Sequence, residues 1–355
     1  MRIAVVSPLF ESVPPKLYGG TERVVSYLAD ELVAQGHDVT LFASGDSKTR
    51  AFLYPAAERS LRLDPECRDP LAHHVIMLDE VITLADAFDV IHFNIDYWHY
   101  PVVRWLRLPA ITTLHGRLDI PDLVPLYARF RDIPLVSISN AQRSLLPWAN
   151  WVATVHHGLP LDLLPFSPAG GSYLAFVGRI SPEKRPDRAI AIAQRAGIPL
   201  KIAAKVDRVD QAYFDERIRP LLAAADVEFV GEIGDAEKAR FLGDALGLLF
   251  PIDWPEPFGL VMIEAMACGT PIVAYRCGSV PEVMVDGVTG YVVDDEDQAV
   301  AAVERLDRIS RAQCRQVFEQ RFSAQRMARN YVEAYRRVAR KSLTGDARSV
   351  AERSP

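Results

Sequence analysis

The chain has 355 residues, of which 49% are apolar, and this is more material than one hydrophobic core usually serves, so two domains are expected. Its net charge of -6 argues against nucleic acid as a partner, because such binding needs Lys and Arg in excess on one face. No apolar run approaches the roughly 20 residues that a bilayer requires, so membrane contact is at most peripheral.

Cysteine usage and the N-terminus indicate a cytoplasmic protein. The N-terminal MRIAVVSPLF has only a short apolar run before Pro8 and suits a first strand better than a signal peptide. The cysteines form no CxxC pair and have no histidine at zinc-finger spacing, so we interpret them as reduced thiols. They are Cys67, Cys268, Cys277 and Cys314.

The first half of the chain alternates short β-branched runs with helical patterns. The segments RIAVVS, GTERVVSYLADELVAQG and HDVTLFAS predict a β-α-β unit, with Gly36 closing its helix. Further strands are predicted at 89–94, 110–115, 134–139 and 151–157. This order predicts a parallel sheet covered by helices on both faces.

The pattern restarts after a polar, proline-containing bridge at 159–172, and we place the domain boundary there. The second series of strands is predicted at 173–179, 199–205, 227–231, 246–251 and 271–275. The predicted fold class is therefore α/β, with two doubly wound, Rossmann-like sheets in tandem. Each sheet should bind ligands at the carboxyl ends of its strands, so the crevice between the domains is the expected active site.

Beyond residue 295 the apolar positions repeat at helical spacing. The predicted domains are 1–163 and 164–322, with a last long helix at about 323–341 and a flexible polar tail at 343–355. The acidic run from Asp294 to Asp297 stands at a predicted helix start, where acidic residues are favoured, so it predicts no metal site.

Two glutamates flank a helix start predicted after the strand at 246–251. Glu256 lies between two prolines that fix its backbone, and Phe258 and Gly259 open a helix whose first N–H groups form a ready anion site. Glu264 follows a turn and a half into that helix. Taken singly, Glu256 is an ordinary loop residue and Glu264 a solvent-facing one. Together they read Glu, seven residues, Glu, with PFG after the first.

This spacing resembles the signature of the retaining glycosyltransferases of family 4. Other matches fall in the right order along nearly the whole chain, from Gly19 to about residue 340. The resemblance implies a GT-B fold, in which two Rossmann-like domains face each other across a cleft and the C-terminal helix crosses back to the first domain.

The resemblance also implies roles for the segment that carries it. Glu256 would contact hydroxyls of the transferred sugar, and Glu264 would hold the ribose hydroxyls of the nucleotide. A carboxylate can accept hydrogen bonds from two neighbouring hydroxyls, which suits both roles. The amides of Phe258, Gly259 and Leu260 would then face the diphosphate.

Two cations follow the first strand of the second domain. Arg179 and Lys184, in FVGRISPEK, lead into a helix predicted near Pro186. Cations beside a helix N-terminus oppose its dipole, and a bound anion would remove that conflict. A solvated basic turn is the ordinary alternative. In family 4 enzymes the matching Arg and Lys clamp the donor diphosphate.

The first domain contributes a glycine pair and a histidine. Gly19 and Gly20, in KLYGGTERVV, lack Cβ atoms, so this backbone can approach a phosphate closely. A plain loop-to-helix turn is the alternative. His115 ends the strand at 110–115, and a lone His there is more often a polar loop residue. The resemblance implies that the glycine pair approaches the donor phosphate and that His115 contacts the sugar and the nearby phosphate.

Three further segments of the sequence give weaker evidence. Relatives often carry a second His where this chain has Asn94, after His92, which leaves the acceptor contacts open. Asn140 is the predicted cap of the helix after VSIS. The resemblance places the nucleotide base at FVGEI, where the backbone of Ile233 would hydrogen-bond it.

The resulting prediction is a retaining hexosyltransferase. A UDP- or GDP-sugar is the expected donor, and the hydroxyl of a carbohydrate, lipid-linked or small-molecule acceptor attacks from the front side. The departing diphosphate helps to deprotonate that hydroxyl, and His115 orients the sugar. No cofactor is predicted beyond the nucleotide sugar as co-substrate, and no metal is required.

Three alternatives compete with this prediction. A GT-B sugar-nucleotide epimerase would share the diphosphate clamp but release no glycoside. A non-catalytic sugar-nucleotide-binding protein would keep the fold without turnover. A nicotinamide-dependent dehydrogenase is more distant, because the chain lacks the GxGxxG fingerprint.

Overall fold

The computed structural model describes residues 1–351 except 17, 18, 224 and 225, and it leaves out the side chains of residue 63 and of residues from 340 on. The tail predicted as flexible, 343–355, lies outside the fully described residues. The chain divides into two compact units. The first comprises Met1–His157 together with Ala324–Pro355, and the second is Gly158–Ser323.

The described residues of the first unit form a parallel sheet in the order β3-β2-β1-β4-β5-β6-β7. Its strands are β1 (Arg2–Val6), β2 (Asp38–Ser44), β3 (Phe52–Ala57), β4 (Val90–Phe93), β5 (Ala110–Thr113), β6 (Leu135–Ser137) and β7 (Trp151–Thr154). The sequence pattern does not predict strand β3, because Pro55 interrupts FLYPAA. Proline is tolerated there because β3 is an edge strand.

Helices of the first unit pack on this sheet. They are α1 (Gly20–Ala34), α2 (Pro70–Thr83), α3 (Tyr100–Leu106), α4 (Leu123–Arg129), α5 (Asn140–Arg143) and, from the end of the chain, α14 (Ala324–Ala351). Helix α14 packs against α1, β4, β5 and β7. The predicted return of the last long helix to the first domain is therefore confirmed.

The second unit has a parallel sheet in the order β10-β9-β8-β11-β12-β13. Its strands are β8 (Leu174–Arg179), β9 (Leu200–Lys205), β10 (Val227–Gly231), β11 (Gly247–Phe250), β12 (Ile272–Tyr275) and β13 (Gly290–Val293). Strand β13 is not predicted from the sequence, because its four residues follow a turn-rich stretch. A Cβ on Gly290 would lie 1.9 Å from the Ile272 carbonyl oxygen, so glycine lets β13 pair with β12.

Helices connect these strands on both faces of the sheet. They are α6 (Pro186–Ala196), α7 (Gln211–Tyr213), α8 (Arg219–Leu222), α9 (Asp235–Gly243), α10 (Leu260–Cys268), α11 (Val280–Val283), α12 (Glu296–Val303) and α13 (Arg311–Arg321). Helix α12 begins at the acidic run, where Asp295 accepts a hydrogen bond from the amide of Gln298 at 2.8 Å. This is the helix start predicted there.

Both strand orders are those of a Rossmann-like doubly wound sheet, so the predicted fold class is confirmed for each unit. Each unit has its own apolar core between sheet and helices. The order reverses between β1 and β4 in the first unit and between β8 and β11 in the second. These switch points are where such sheets bind ligands. Among the described residues, none of the helices combines the length and apolarity needed to cross a bilayer.

Candidate active site

The switch point of the second unit brings two predicted site residues into contact. Lys184, in the loop after β8, donates a hydrogen bond from Nζ to Glu256 Oε2, in the loop after β11. The indole N–H of Trp254 donates to the same oxygen at 3.1 Å. The Lys184 ammonium also lies 4.8 Å from the centroid of the Trp254 ring, within cation–π range. The sequence contains no signal for this role of Trp254.

This arrangement leaves half of a buried carboxylate available. Glu256 is only 8% exposed, and its Oε2 already accepts from two donors. Its Oε1 has no hydrogen-bond partner in the part of the chain that the structure describes. A carboxylate held by one oxygen can offer the other to a ligand hydroxyl. Glu256 is therefore more than the ordinary loop residue that it resembles when taken singly.

The backbone of Glu256 is fixed by the turn after β12. The amide of Ser279 donates to the Glu256 carbonyl at 2.9 Å. Gly278 packs against the same segment, and a Cβ there would lie 2.3 Å from Glu256 N and 2.4 Å from Glu256 O. Gly278 also has a φ of 55°, which favours glycine. The sequence indicates only turn glycines here, whereas the structure shows that one of them fixes the position of Glu256.

We expect Gly278→Ala to lower turnover by at least tenfold, because its methyl group cannot fit without displacing the Glu256 backbone. Gly287→Ala is the matched control. Gly287 also has a positive φ, 73°, but a Cβ added there would meet none of the described atoms within 4 Å. Initial rates and melting temperatures of both variants would test this. Equal losses of turnover in the two variants would show that backbone strain alone is responsible.

The start of α10 follows directly after Glu256. Phe258 is 2% exposed and its ring packs edge-on against Phe322, so its side chain anchors the loop in the core. Helix α10 begins at Leu260, one residue after the predicted opening, with Gly259 as its N-cap. None of the described side chains caps this helix start, so its first amides are available to an anion.

Glu264 does not face solvent, so that interpretation of the single residue is wrong. It is 4% exposed, and Lys238 from α9 donates to its Oε1 at 2.8 Å. Helix α10 is apolar around its whole circumference and is packed into the unit, which buries the carboxylate with it. The sequence offers no signal for Lys238, because its contact with Glu264 depends on how α9 and α10 pack.

Arg179 ends β8 within a group of carboxylates. Its guanidinium pairs with Glu183 and lies 3.8 Å from Asp207 and 3.5 Å from Asp210. Burial acts to raise the pKa of Glu183, but hydrogen bonds and Arg179 outweigh it and hold that pKa below its usual value. Burial raises the pKa of Asp210. Arg179 is thus partly neutralised by its own neighbours, whereas Lys184 places its charge directly on Glu256.

The remaining prediction in this unit concerns the nucleotide base. Ile233 lies in the loop between β10 and α9, at the carboxyl end of an edge strand. Its role in base binding stays a prediction. Among the described residues of the chain, no group of three or more His, Cys, Asp or Glu side chains could hold a metal ion.

His115 occupies the carboxyl end of β5 in the first unit. Its Nε2 contacts Asn94 Oδ1 at 2.9 Å, and its ring stacks on His157 at 5.3 Å. The Asn94 amide is oriented by Nδ2, which donates to the Val6 carbonyl at 3.3 Å. Asn94 Oδ1 therefore accepts, and His115 Nε2 carries the proton. Asn94, which replaces the expected histidine, selects this tautomer.

The chemistry of His115 follows from this tautomer and from burial. Burial lowers the pKa of His115 to about 4, so the imidazole is neutral at pH 7. Its Nδ1 has no hydrogen-bond partner among the described residues. That nitrogen is itself buried from solvent, so no ligand reaches it in this structure. A neutral imidazole fits orientation of a sugar better than electrostatic stabilisation of a phosphate.

His92 has a structural role instead. It is fully buried, with Nδ1 2.8 Å from Tyr335 Oη and Nε2 2.7 Å from Thr113 Oγ1. Burial lowers its pKa to about 3. These contacts join β4 and β5 to α14 within the first unit, so both ring nitrogens are already used.

The predicted cap of α5 is wrong by one residue. Ser139 is the N-cap, and its Oγ accepts from the amide of Gln142 at 2.9 Å. Asn140 is instead the first residue of the helix. Serine and asparagine both cap helices well, so the sequence alone does not separate them.

The glycine pair begins α1, with Gly19 as N-cap and Gly20 as the first helical residue. A Cβ on Gly19 would lie 2.8 Å from Pro15 Cβ and 3.2 Å from Glu22 Oε2. Glycine is therefore needed at position 19 for packing within the unit, whether or not a phosphate binds there. This helix start, too, receives no cap from the side chains that the structure describes. The predicted approach of a phosphate to Gly19 and Gly20 stays a prediction.

Glu22 should make the stability of the first unit depend on pH. Burial raises its pKa from 4.5 to about 7, although hydrogen bonds from the Glu22 and Glu11 amides and the charge of Arg62 oppose the shift. A raised folded-state pKa contributes stability below pH 4.5 that is lost as the pH rises through 7. We expect Glu22→Gln to be up to about 3 kcal/mol more stable than wild type at about pH 8, with a much smaller difference at about pH 5.

Thermal unfolding at both pH values would measure this difference. Glu31→Gln, in the same helix, is the control, since Glu31 is only partly buried. A stability difference for Glu22→Gln that does not change between the two pH values would contradict a raised pKa.

The GT-B class of glycosyltransferases has two Rossmann-like units, and here the switch point of the second unit carries a cation and two buried glutamates beside an uncapped helix start. The family models agree. Residues 18–196 match Glycosyltransferase Family 4, and residues 166–330 match Glycosyl transferases group 1. The chain belongs to glycosyltransferase family 4, as its sequence signature predicts.

Similar proteins cover most of the chain. The glycogen synthase of Mycobacterium tuberculosis is 27% identical, and the match covers 98% of this chain and 91% of that protein. The D-inositol 3-phosphate glycosyltransferase of Mycolicibacterium smegmatis is 32% identical, over 79% of this chain and 76% of that protein. The structure of Anabaena HepE in complex with UDP and glucose has a TM-score of 0.70 at 20% identity, covering 94% of this chain and 98% of that one.

Proposed function

We propose that this glycosyltransferase is a retaining hexosyltransferase that uses a UDP- or GDP-sugar and transfers the hexosyl group to an acceptor hydroxyl. The observation that carries the proposal is the contact of Lys184 and Trp254 with one oxygen of buried Glu256, beside the uncapped start of α10. Cation and helix amides suit a diphosphate, and the second glutamate oxygen suits a sugar hydroxyl.

The nucleotide would be held by groups further along the same unit. Glu264 is fixed through Oε1 by Lys238, which leaves Oε2 to accept from a ribose hydroxyl. The backbone around Ile233 would receive the base. HepE, which shares this fold, is described in complex with UDP and glucose, so a uridine nucleotide is the first candidate for this chain.

Catalysis would rest on charge stabilisation of the leaving group. As the bond between sugar and diphosphate breaks, negative charge grows on the phosphate oxygens, which Lys184, Arg179 and the α10 amides would stabilise. Such preorganised donors contribute roughly 3 to 4 kcal/mol each in other enzymes. The diphosphate oxygen then helps to take the proton from the acceptor hydroxyl.

Front-side attack explains retention without a covalent intermediate. Glu256 would not act as the nucleophile, because its Oε1 would accept from a sugar hydroxyl while Lys184 and Trp254 bind its Oε2. His115, which is neutral at pH 7, would orient the sugar and would not attack it. We propose no metal and no further cofactor for this reaction.

The experiment begins with thermal shifts in UDP-, GDP- and ADP-sugars, because a donor that binds only the folded state raises the melting temperature. The donor that shifts it most is then incubated with and without simple sugar acceptors. NMR of the product reports its anomeric configuration. An inverted product would contradict retention, and a new nucleotide sugar without acceptor would indicate an epimerase. No shift with any donor would contradict the proposal as a whole.

A further inference from the structure

A cavity of about 630 Å³ opens in the first unit at the amino ends of β5, β6 and β7. The lining includes Pro109, Pro134 and Asn150, each of which directly precedes one of these strands. His115 lies at the carboxyl end of β5, so the cavity is on the opposite edge of the sheet from His115. Its volume is within the range of cavities that bind small organic molecules.

The floor of this cavity is apolar. Val103, Ile133 and Val338 line it and are 4%, 3% and 6% exposed. Pro109 and Pro134 have no N–H, and their carbonyls already accept from the amides of β4 and β5 at 2.9 and 3.0 Å. The floor thus offers little hydrogen bonding and suits a hydrocarbon or aromatic body.

The rim of the cavity carries uncompensated positive charge. Arg104 pairs with Asp132 at 3.1 Å, so these two lining charges neutralise each other. Arg337 donates to the Val152 carbonyl at 3.1 Å but pairs with no carboxylate among the described residues. Arg107, at the end of α3, likewise has no ion pair in the described chain. Two guanidinium groups therefore border one apolar floor.

We propose that this cavity binds a small amphipathic organic phosphate. The apolar body would lie on the floor, and the phosphate would lie between Arg107 and Arg337. A phosphate dianion matches two guanidinium charges, and the planar guanidinium fork can donate two parallel hydrogen bonds to its oxygens. This site is separate from the nucleotide-sugar site and does not depend on the function proposed for that site.

The test is isothermal titration calorimetry with 1-naphthyl phosphate, in saturating UDP so that any nucleotide site is occupied. Wild-type protein should bind it in the micromolar to low millimolar range. Arg107→Gln/Arg337→Gln should weaken binding at least tenfold. Arg336→Gln is the matched control, because Arg336 is exposed on the same helix but does not line the cavity.

Two further probes separate the contribution of the ligand's phosphate charge from that of its apolar body. 1-Naphthol, which lacks the anion, and inorganic phosphate, which lacks the body, should each bind at least tenfold more weakly than 1-naphthyl phosphate. The proposal is overturned if wild-type protein fails to bind 1-naphthyl phosphate, or if the double variant binds it as well as wild type does. Equal binding of 1-naphthol would also contradict it.

Discussion

Glu256→Gln should lower kcat by about 100-fold while the dissociation constant for UDP changes less than threefold. The carboxylate serves two sets of partners, since Oε2 accepts from Lys184 and Trp254 and Oε1 is available to a sugar hydroxyl. Glutamine has the same shape but only one acceptor oxygen. The glutamine oxygen can therefore accept either from Lys184 and Trp254 or from the sugar hydroxyl, but not from both sets of donors. Its NH2 group cannot accept a hydrogen bond from the Lys184 ammonium.

The measurement combines initial rates of transfer with calorimetric titration of UDP. Glu228→Gln provides a matched control, because Glu228 lies on β10 of the same unit with 59% of its side chain exposed. A kcat within threefold of wild type would remove Glu256 from the proposed mechanism. Trp254→Phe should have a smaller effect, since it removes one donor and keeps an aromatic ring for Lys184.

Lys184→Met should weaken UDP binding by about 10- to 100-fold and lower kcat/KM further. A hydrogen bond to a charged group is worth about 1.5 to 3 kcal/mol, which corresponds to this range of affinity. The additional loss in kcat/KM arises because the charge on the leaving diphosphate is greatest in the transition state. Methionine keeps much of the volume of the lysine stem.

Lys184→Met also leaves Glu256 without its cation. The loss of a charge at the diphosphate must therefore be separated from the loss of the contact with Glu256. Lys184→Met/Glu256→Gln removes the unbalanced carboxylate and should bind UDP no better than Lys184→Met alone. Lys201→Met, which removes a lysine paired with exposed Glu228, is the surface control. If the double variant recovers wild-type UDP affinity, Lys184 acts through Glu256 and not on the phosphate.

Lys184 and Arg179 differ in how far neighbouring carboxylates neutralise their charges. Arg179 is surrounded by Glu183, Asp207 and Asp210, which together can hold its guanidinium in place. Among the described residues, Lys184 pairs with the carboxylate of Glu256 and has the rings of Trp254 and Phe250 within cation–π range. Its charge is the less neutralised of the two. We therefore expect Lys184 to contribute more to donor binding.

Local sequence patterns were enough to specify the two Rossmann-like folds and to locate the candidate site. Alternating β-branched runs and helical patterns, separated by glycine and proline, are local signals, because each element is specified by residues within it. The Glu256 to Glu264 signature is likewise contiguous. The two strands without a sequence signal, β3 and β13, are edge strands, where pairing with a neighbour overrides a weak local pattern.

Long-range packing, in contrast, sets which side chains act on the predicted residues. Lys184 reaches Glu256 and Trp254 because β8 and β11 are adjacent at the switch point, although 72 positions separate Lys184 from Glu256. Lys238 reaches Glu264 through the packing of α9 on α10, and Gly278 reaches Glu256 from the turn after β12. The burial that keeps His115 neutral has the same origin. These contacts join distant segments, so no local pattern of residues could specify them.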